Sequence, residues 1–374
     1  MKTLLIGLGR QGFRMLELAL ERGMGPVDVA DSRPEALENA EGCFGNQVRG
    51  LHENPLSMTE EKREDTLAGY SLVLDALPSF HSCRLMLSAI RAGTKMVSVS
   101  FLEEDFMALD KEARKNKALV IPDCGGAPGF SHMMAGYSVN ALGGADWVVM
   151  KVGAIPTRPE PPFYHSLTWS VEDLMEEYFR PAKCRHNGEI TAPDPFAGIE
   201  EENIQELPLQ SFLSDGARSF LTNYPDIPFM EERTLRHHGH MDFMKPFREA
   251  GFLTREPLAV AGMEIQPCLV LAALLEKTFS GLPPEDRFIM QVEISGPGGR
   301  HQHEYNMPYQ KNSGVFGLVN SVAVTAVETA AMVLDGTISG HGVFPLELVA
   351  DKEKFARMAQ AHRDRGAMVT LKES

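Results

Sequence analysis

A glycine-rich turn near the N-terminus is the first feature of the sequence with a clear chemical use. Gly7, Gly9 and Gly12 stand in the run GLGRQG, directly after a short apolar stretch and at the start of a helical pattern. Glycines at this spacing form a tight turn, let the backbone approach a pyrophosphate and let the helix pack closely on the strand. Asp31 follows about 20 residues further on, at the end of the next predicted strand, where a carboxylate can bind both hydroxyls of a ribose. The pattern predicts a dinucleotide-binding site.

The charges near this turn bear on which dinucleotide binds. Asp31 repels the 2′-phosphate of NADP and therefore favours NAD. Arg33 and Arg10 point the other way, because either guanidinium can pair with that phosphate. We expect NAD, with NADP the less favoured cofactor. The predicted cofactor contacts are Gly7, Gly9, Arg10, Gln11, Gly12, Asp31, Ser32, Arg33, Ala76, Leu77, Pro78, Ser98, Gly125, Gly126 and Pro128.

A second stretch, VIPDCGGAPGFSHMMAGY at residues 120–137, places an acid at a strand end and then a loop almost without side chains. Asp123 and Cys124 are followed by five residues drawn only from Gly, Ala and Pro. Such a loop leaves room for a nicotinamide ring and a substrate against its backbone. The alternative is an ordinary tight turn, which most loops of this composition form.

Alternating strands and helices must position these residues. Short apolar runs predict strands at 3–6, 27–30, 47–51, 72–76, 96–99 and 119–121, with helical patterns ending at residue 22, beginning at 34, and lying around 59–68, 80–92 and 103–116. This alternation is typical of an α/β fold with a doubly wound parallel sheet, here a Rossmann domain at residues 1–129. Ligands of such sheets gather outside the carboxyl ends of the strands, where the glycine turn, Asp31 and Asp123 are all expected.

After residue 129 the alternation stops and hairpin signals take over. We predict a helix at 131–142, a strand at 147–155, a hairpin turning at 187–188, another joining 287–294 to 301–307, and loop over 192–230. Residues 130–312 then form an inserted α+β domain for substrate binding and dimerisation. A helix at 314–335 and the rest of 313–374 are expected to return to the Rossmann domain. An insertion of this kind predicts an active site in the cleft between domains.

Composition limits the classes of partner. The chain has 374 residues and a formal net charge of −15, which argues against a nucleic-acid or anionic membrane surface. Its five cysteines are scattered and form no CxxC pair, which indicates reduced thiols in the cytoplasm and no zinc cluster. The N-terminus shows no signal-peptide pattern. The most apolar helix carries Asn320, Thr325 and Glu328, and is interpreted as a buried helix, not a membrane span.

Several motifs together resemble a known family. The glycine turn, PDCGGAPGFSHMMAGY, TLRHHGH and the terminal GVFPLELV are similar to the saccharopine dehydrogenase superfamily. Within it, PDCGGAPG, VGAIPTRPEPP and FRPAKCRHNGE most resemble L-lysine 6-dehydrogenases. The resemblance implies NAD-dependent oxidation of lysine at its ε-carbon, giving an aldehyde that cyclises after ammonia is lost. It also implies a Rossmann domain, a second α/β domain and a homodimer.

Saccharopine reductases typically carry a loop of the form Asp-Pro-Gly-Ile-Asp-His. Here the run 127–132 is Ala-Pro-Gly-Phe-Ser-His, with Ser131 at the second acid. The change argues against saccharopine as the substrate. The alternatives that stay open are imine reduction, as in saccharopine or carboxynorspermidine formation, and an NAD(P)-sensing protein without catalysis.

Four residues are candidates for chemistry on an amino acid. A lysine amine titrates near 10.4 in water, so it needs a base or a dry site to react as the neutral form. Asp123 is the candidate for holding or deprotonating this amine, or else it caps its own loop. Arg236 is the candidate for a bidentate grip on the substrate carboxylate, or else it is an ordinary surface arginine. His240 and His165 are candidate acids or bases, although most histidines are packed or exposed without a catalytic role.

Overall fold

The computed structural model describes residues 2–51, 53–102, 104–167, 171–279, 281–282 and 285–374, with the side chains of 172 and 173 left aside. The chain divides into two units. Unit 1 comprises Met1–Tyr137 and Val319–Arg365, and unit 2 comprises Ser138–Leu318 and Gly366–Ser374. Each unit is described by itself below.

Unit 1 is built on a parallel sheet. Its strands are β1 (Thr3–Ile6), β2 (Val27–Ala30), β3 (Val48–Gly50), β4 (Leu72–Asp75), β5 (Lys95–Ser98), β6 (Leu119–Ile121) and β17 (Gly342–Val343). They lie in the order β17-β6-β5-β4-β1-β2-β3, and each neighbouring pair is parallel. This is the Rossmann arrangement, so the predicted doubly wound parallel sheet is confirmed.

Helices connect these strands and cover the sheet. They are α1 (Arg10–Glu21), α2 (Pro34–Phe44), α3 (Glu60–Ala68), α4 (Ser79–Arg91), α5 (Asp110–Lys115), α6 (Phe130–Leu142), α11 (Gly317–Leu334), α12 (Leu346–Val349) and α13 (Lys352–Asp364). Pro34 opens α2, where its missing N–H is no loss, and the Thr59 hydroxyl caps α3 by accepting from the Lys62 amide at 3.3 Å. The division between the units falls inside α6 and α11.

Helix α11 is long and apolar enough to cross a membrane by length and composition, but 83% of it is buried within the protein. Glu328 on this helix is only 2% exposed and accepts hydrogen bonds from Arg22 and, at 2.6 Å, from Arg357. Burial with internal ion pairs is the pattern of a core helix.

Unit 2 is organised around a mixed sheet. Its strands are β7 (Trp147–Pro156), β8 (Cys184–His186), β9 (Glu189–Thr191), β10 (Glu200–Ile204), β11 (Leu207–Ser214), β12 (Phe229–His237), β15 (Asp286–Gly296), β16 (Gly299–Pro308) and β18 (Met368–Glu373), with β13 (Leu258–Val260) and β14 (Met263–Ile265) as a separate hairpin. The main order is β10-β11-β12-β7-β15-β16-β18. Its helices are α7 (Val171–Phe179), α8 (Arg218–Asn223), α9 (His240–Glu249) and α10 (Pro267–Phe279). The hairpin predicted at Asn187-Gly188 is present as β8–β9, with φ of 54° and 82° at the two turn residues.

The predicted loop over 192–230 is wrong. Residues 200–204 and 207–214 are the paired strands β10 and β11, and 218–223 is helix α8. The acidic run at 200–202 suggested a loop, but β10 is an edge strand, where charged side chains face water without breaking the ladder. Strand β11 is held by its pairing with β12, a long-range contact that local composition does not report.

Two predicted boundaries also differ from the structure. Around 103–116 the described residues form a 3-10 turn, Phe106–Leu109, followed by the short helix α5, and residue 103 lies outside the described part of the chain. The C-terminal segment returns to unit 1 only as Val319–Arg365. Its last strand, β18, pairs instead with β16 from Asn306 to His301 and so belongs to unit 2.

Candidate functional site

The glycine turn between β1 and α1 is shaped by contacts that exclude side chains. Gly7 has φ +93°, and a Cβ there would lie 2.6 Å from the carbonyl oxygen of Ala76. A Cβ on Gly12 would lie 1.8 Å from the carbonyl oxygen of Gly7. Around Gly9, by contrast, a Cβ would meet nothing within 4 Å. Gly7 and Gly12 thus build the turn, and Gly9 leaves open the face where a pyrophosphate could approach the helix N-terminus.

Asp31 and Arg33 form one hydrogen-bonded pair at the end of β2. The Asp31 carboxylate accepts from the Leu8 amide at 2.7 Å and from the Arg33 amide at 2.9 Å. It also accepts from Nε of Arg33 at 3.0 Å. Burial opposes ionisation of Asp31, but these bonds from Arg33 and Leu8 lower its pKa below the usual value. The carboxylate therefore faces the glycine turn in its charged form, with a 59% exposed arginine side chain beside it.

The ends of β4 and β5 carry a buried polar network that the sequence reasoning missed. Asp75, the last residue of β4, is 0% exposed and accepts from the Leu77 amide at 3.1 Å. Its other oxygen accepts from the hydroxyls of Ser82 and, at 2.7 Å, of Ser98. Ser98, predicted as a cofactor contact, is itself fully buried and turned towards Asp75. An acid at a strand end in the run LDALP was the available signal.

The loop after β6 folds on itself. The Gly125 amide donates to the Pro128 carbonyl at 3.1 Å, and the Phe130 amide donates to the Gly125 carbonyl at 3.0 Å. Gly129 has φ +130°, and a Cβ there would lie 2.1 Å from the Gly125 oxygen. Close backbone packing inside the loop therefore accounts for glycine at 129, independent of any ligand.

Asp123 and Cys124 precede this loop. Asp123 has a left-handed φ of 46° and is 3% exposed, so a carboxylate stands almost buried at the carboxyl end of the sheet. Cys124 is fully buried, and burial raises the pKa of its thiol to about 12. A thiol with that pKa stays protonated at neutral pH and is not a nucleophile.

The remaining candidates meet in unit 2. Arg236, on β12, is 1% exposed, and its guanidinium pairs with Glu177 and donates to the Leu235 carbonyl at 2.8 Å. The rings of His165 and His240 lie 5.2 Å apart, and both side chains are buried. The structure thus brings the three predicted residues of this unit into one cluster, and Arg236 is not on the surface.

Hydrogen bonds fix the tautomer of His240. Its Nδ1 lies 2.6 Å from the Phe163 carbonyl oxygen, which only accepts, so Nδ1 carries the proton. Its Nε2 then accepts from the Tyr178 hydroxyl at 2.7 Å. Burial, with Arg236 nearby, lowers the pKa of His240 to about 3, and burial raises the pKa of Tyr178 to about 12. Both groups are neutral at physiological pH, and Tyr178 and Glu177 on α7 had no distinguishing sequence signal.

The other histidines have separate roles. His237 makes a 2.8 Å hydrogen bond to the Pro156 carbonyl. His301 and His303 both contact the Ser138 hydroxyl, at 2.9 and 2.7 Å. Within the described ranges, no group of three or more His, Cys, Asp or Glu side chains is arranged to hold a metal ion.

Comparison with known proteins agrees with this geometry. The family model of the saccharopine dehydrogenase NADP binding domain matches residues 3–121. The model of the saccharopine dehydrogenase C-terminal domain matches residues 125–364. The chain belongs to the saccharopine dehydrogenase family. Members of this family are oxidoreductases that act on CH–NH groups, and unit 1 carries the family's nicotinamide dinucleotide-binding domain.

Individual relatives are more distant. The mitochondrial alpha-aminoadipic semialdehyde synthase of Bos taurus is 21% identical over 285 residues, which cover 71% of this chain and 30% of the relative. The saccharopine dehydrogenase (NADP+, L-glutamate-forming) of Pyricularia oryzae is 24% identical over 220 residues, covering 55% and 49%. The matches thus span half or less of these members of the family. The solved structure of saccharopine dehydrogenase (L-Glu forming) from Saccharomyces cerevisiae has the same fold, with a TM-score of 0.80, 17% identity, and coverage of 100% of this chain and 99% of that one.

Proposed function

We propose that this protein is an NAD-dependent L-lysine 6-dehydrogenase, which oxidises the ε-carbon of lysine and releases the ε-amine as ammonia. The observation that carries the proposal is the loop after β6, where the nearly buried Asp123 precedes a run with Ser131 at the second acid of the saccharopine reductase pattern. Loss of that acid removes a charged partner for the longer, more polar saccharopine. The resemblance of the flanking motifs to L-lysine 6-dehydrogenases supports the same substrate.

The proposed reaction is an oxidation at the ε-carbon of lysine, followed by hydrolysis. A nicotinamide dinucleotide bound to unit 1 would supply the hydride acceptor. Loss of a hydride from the ε-carbon of the neutral amine would leave a substrate iminium, and addition of water to it would release ammonia and an aldehyde, which would cyclise with the α-amine. Asp123 would hold the ε-amine and remove its proton before the hydride leaves, because an ammonium at its usual pKa near 10.4 cannot form the imine. The scarcity of side chains at 125–129 would let the substrate lie against backbone there.

Arg236 remains the proposed contact for the substrate carboxylate. Its guanidinium pairs with Glu177, donates to the Leu235 carbonyl and is hydrogen-bonded to Tyr178, so these partners hold its planar donor fork in place. Burial at 1% exposure gives a charge-assisted pair a low-dielectric setting, in which it binds more strongly than at a surface. His240, being neutral with its proton on Nδ1, would act there as an acceptor and not as a cationic acid.

The preference for NAD is part of the proposal. Asp31 stands ionised beside the glycine turn, where it would accept both ribose hydroxyls and repel a 2′-phosphate. Arg33 favours NADP instead, because its guanidinium could pair with the 2′-phosphate once its hydrogen bonds to Asp31 are broken. The family model and the Pyricularia oryzae relative are both named for NADP, so the two cofactors must be compared directly.

We also propose a cytoplasmic homodimer. Six large apolar side chains are at least 40% exposed on three consecutive elements of unit 2, and they are Leu258, Val260, Met263, Leu269, Val270 and Leu274. They belong to the β13–β14 hairpin and the outer side of α10. Exposed apolar side chains concentrated in one stretch of a chain are typical of a surface that binds another protein, here a second copy of this chain. Light scattering of the purified protein tests this state.

The second candidate is saccharopine dehydrogenase activity. It is favoured by the named relatives, which are a semialdehyde synthase and an L-glutamate-forming saccharopine dehydrogenase. Purified protein should be offered lysine, saccharopine and the reverse imine-forming pair, each with NAD(H) and NADP(H). Reduction of NAD+ with lysine alone supports the proposal. Turnover only with saccharopine supports the second candidate, and cofactor binding without any turnover supports a sensing role.

A further inference from the structure

A wholly buried acid at the end of β4 has no part in the chemistry proposed above. Asp75 is 0% exposed, and its described partners are one amide and serine hydroxyls, without a cation. Burial raises the pKa of this carboxyl above its ordinary value, which shows that the site is unfavourable for a charge. An apolar residue at this position would avoid the free-energy cost of burying a carboxyl group. Stability alone therefore does not account for an acid at position 75.

The first group that Asp75 holds is the turn after β4. Oδ1 accepts the Leu77 amide at 3.1 Å, and the Ser100 hydroxyl, 3.3 Å from Oδ2, lies 2.6 Å from the Leu77 carbonyl oxygen. Both polar groups of Leu77 are thereby fixed. Gly7 and Gly12 pack on Ala76, one residue earlier. A Cβ added to Gly7 would lie 2.6 Å from the Ala76 carbonyl oxygen, and one added to Gly12 would lie 3.2 Å from the Ala76 Cβ. The position of the 76–77 turn therefore determines the position of the glycine turn that packs against it.

The second group is the end of β5. Ser98 donates to Oδ2 at 2.7 Å, and the Ser98 carbonyl accepts the Cys124 amide at 2.8 Å. Cys124 begins the loop at 124–129, so Ser98 connects the Asp75 carboxylate to that loop by hydrogen bonds. Three segments on the carboxyl edge of the sheet, following β1, β4 and β6, are tied to one buried side chain.

We propose that Asp75 is a positioning residue of the dinucleotide site, which sets the relative placement of these three segments without touching the cofactor. The inference rests on the nicotinamide dinucleotide binding of unit 1 and not on the identity of the amino-acid substrate. Displacements near 1 Å in such segments are large enough to change binding and rate. Loss of the Asp75 carboxylate should therefore lower the affinity for the cofactor more than loss of a comparable buried acid elsewhere in the sheet.

The test is calorimetric titration of Asp75→Ala, Asp75→Asn and a matched control with NAD+, NADP+ and ADP-ribose, beside urea unfolding of each protein. The control is Asp28→Ala, because Asp28 is also a buried acid of this sheet, on β2, and pairs with Arg49 and Tyr70. We expect Asp75→Ala to bind both NAD+ and ADP-ribose at least about tenfold more weakly, and Asp28→Ala to lose stability with unchanged affinity. Asp75→Asn should recover most of the affinity, because its amide oxygen can accept from Leu77 while the serine hydroxyls turn to accept from its NH2.

Unchanged affinity of Asp75→Ala at equal folded fraction would overturn the inference, as would an equal loss in Asp28→Ala. If Asp75→Ala does not fold, Ser100→Ala removes the hydroxyl that bonds the Leu77 carbonyl and lies beside Asp75 Oδ2, and it leaves the carboxylate in place. A several-fold loss of affinity in Ser100→Ala supports the inference, and wild-type affinity refutes it. Because no assay here uses lysine, failure of the proposed substrate leaves these results unaffected. A wild-type protein that binds neither dinucleotide would instead overturn the cofactor assignment.

Discussion

Replacing Gly9 with alanine separates the two reasons for glycine in the β1–α1 turn. A methyl group at this position meets no heavy atom within 4 Å, and the backbone, with φ −69° and ψ −173°, is open to any residue. Alanine is a poorer helix cap than glycine by about 0.5–1 kcal/mol. Alanine also restricts the unfolded chain more than glycine does, which stabilises the folded protein by about 0.4–1 kcal/mol. The two terms offset, so the free energy of unfolding should stay near that of the wild type.

Cofactor affinity should nevertheless fall. If the pyrophosphate lies against the backbone at Gly9, the methyl group occupies its space, and we expect Kd for NAD+ to rise at least about tenfold, or 1.4 kcal/mol. Gly12→Ala should behave differently, because its Cβ would lie 1.8 Å from the Gly7 oxygen and must displace the turn. It should lose about 1–3 kcal/mol of stability together with affinity.

Calorimetric titration with NAD+ and urea unfolding of both variants measure the two effects. Gly42→Ala is the control, since its Cβ also lies in open space but on α2. It should gain up to about 1 kcal/mol of stability and bind NAD+ normally. Wild-type affinity in a folded Gly9→Ala protein would refute the placement of the pyrophosphate.

Four further changes have defined outcomes. Asp31→Ser should weaken NAD+ and relatively improve NADP+ in paired titrations, and a wild type that already prefers NADP+ would contradict the ribose argument. Arg236→Lys should raise KM for lysine nearly as much as Arg236→Ala, with NAD+ affinity unchanged, since an ammonium cannot make a two-pronged contact; an equal loss of NAD+ affinity would point to folding damage. Asp123→Asn should lower kcat severely and remove one limb of the pH–rate profile, whereas normal turnover with earlier melting would assign it a capping role. His362→Phe keeps the ring stacking on Phe130 at 4.3 Å but removes a histidine whose pKa burial lowers to about 3. Below about pH 6.5 the unfolded wild-type chain takes up a proton at this histidine, whereas the folded chain takes one up only near pH 3. Between these values the free energy of unfolding of the wild type should therefore fall more steeply than that of the variant, by about 1.4 kcal/mol per pH unit. Equal slopes in the two proteins would refute this prediction.

Local patterns predicted six of the seven strands of the Rossmann sheet, because most of them are short, apolar and followed by a helix. The seventh strand, β17, was not predicted, because it has only two residues and is defined by its pairing with β6. The glycine spacing predicted the β1–α1 turn for a physical reason that the structure makes visible, the contact of Gly7 and Gly12 with neighbouring backbone. The bare loop at 125–129 was harder to interpret. Its packing of Gly129 on Gly125 explains part of the composition without a ligand.

Features that depend on long-range pairing escaped prediction. The pairing of β11 with β12 and of β18 with β16 joins segments that local composition does not connect. Asp75 and Tyr178 were missed because their roles come from partners far along the chain, at Ser98 and His240. Arg236, His240 and His165 were predicted as separate candidates, and their grouping and burial are visible only in three dimensions.

The proposed reaction removes the ε-amine of lysine and reduces NAD+. The most direct measurement incubates the purified protein with NAD+ and lysine carrying heavy nitrogen at the ε-amine only, and follows NADH together with the isotope in the released ammonia. We predict one labelled ammonia for each NADH formed, and a cyclic product that retains the unlabelled α-nitrogen. Unlabelled ammonia, or no NADH with lysine while saccharopine is oxidised, would contradict it.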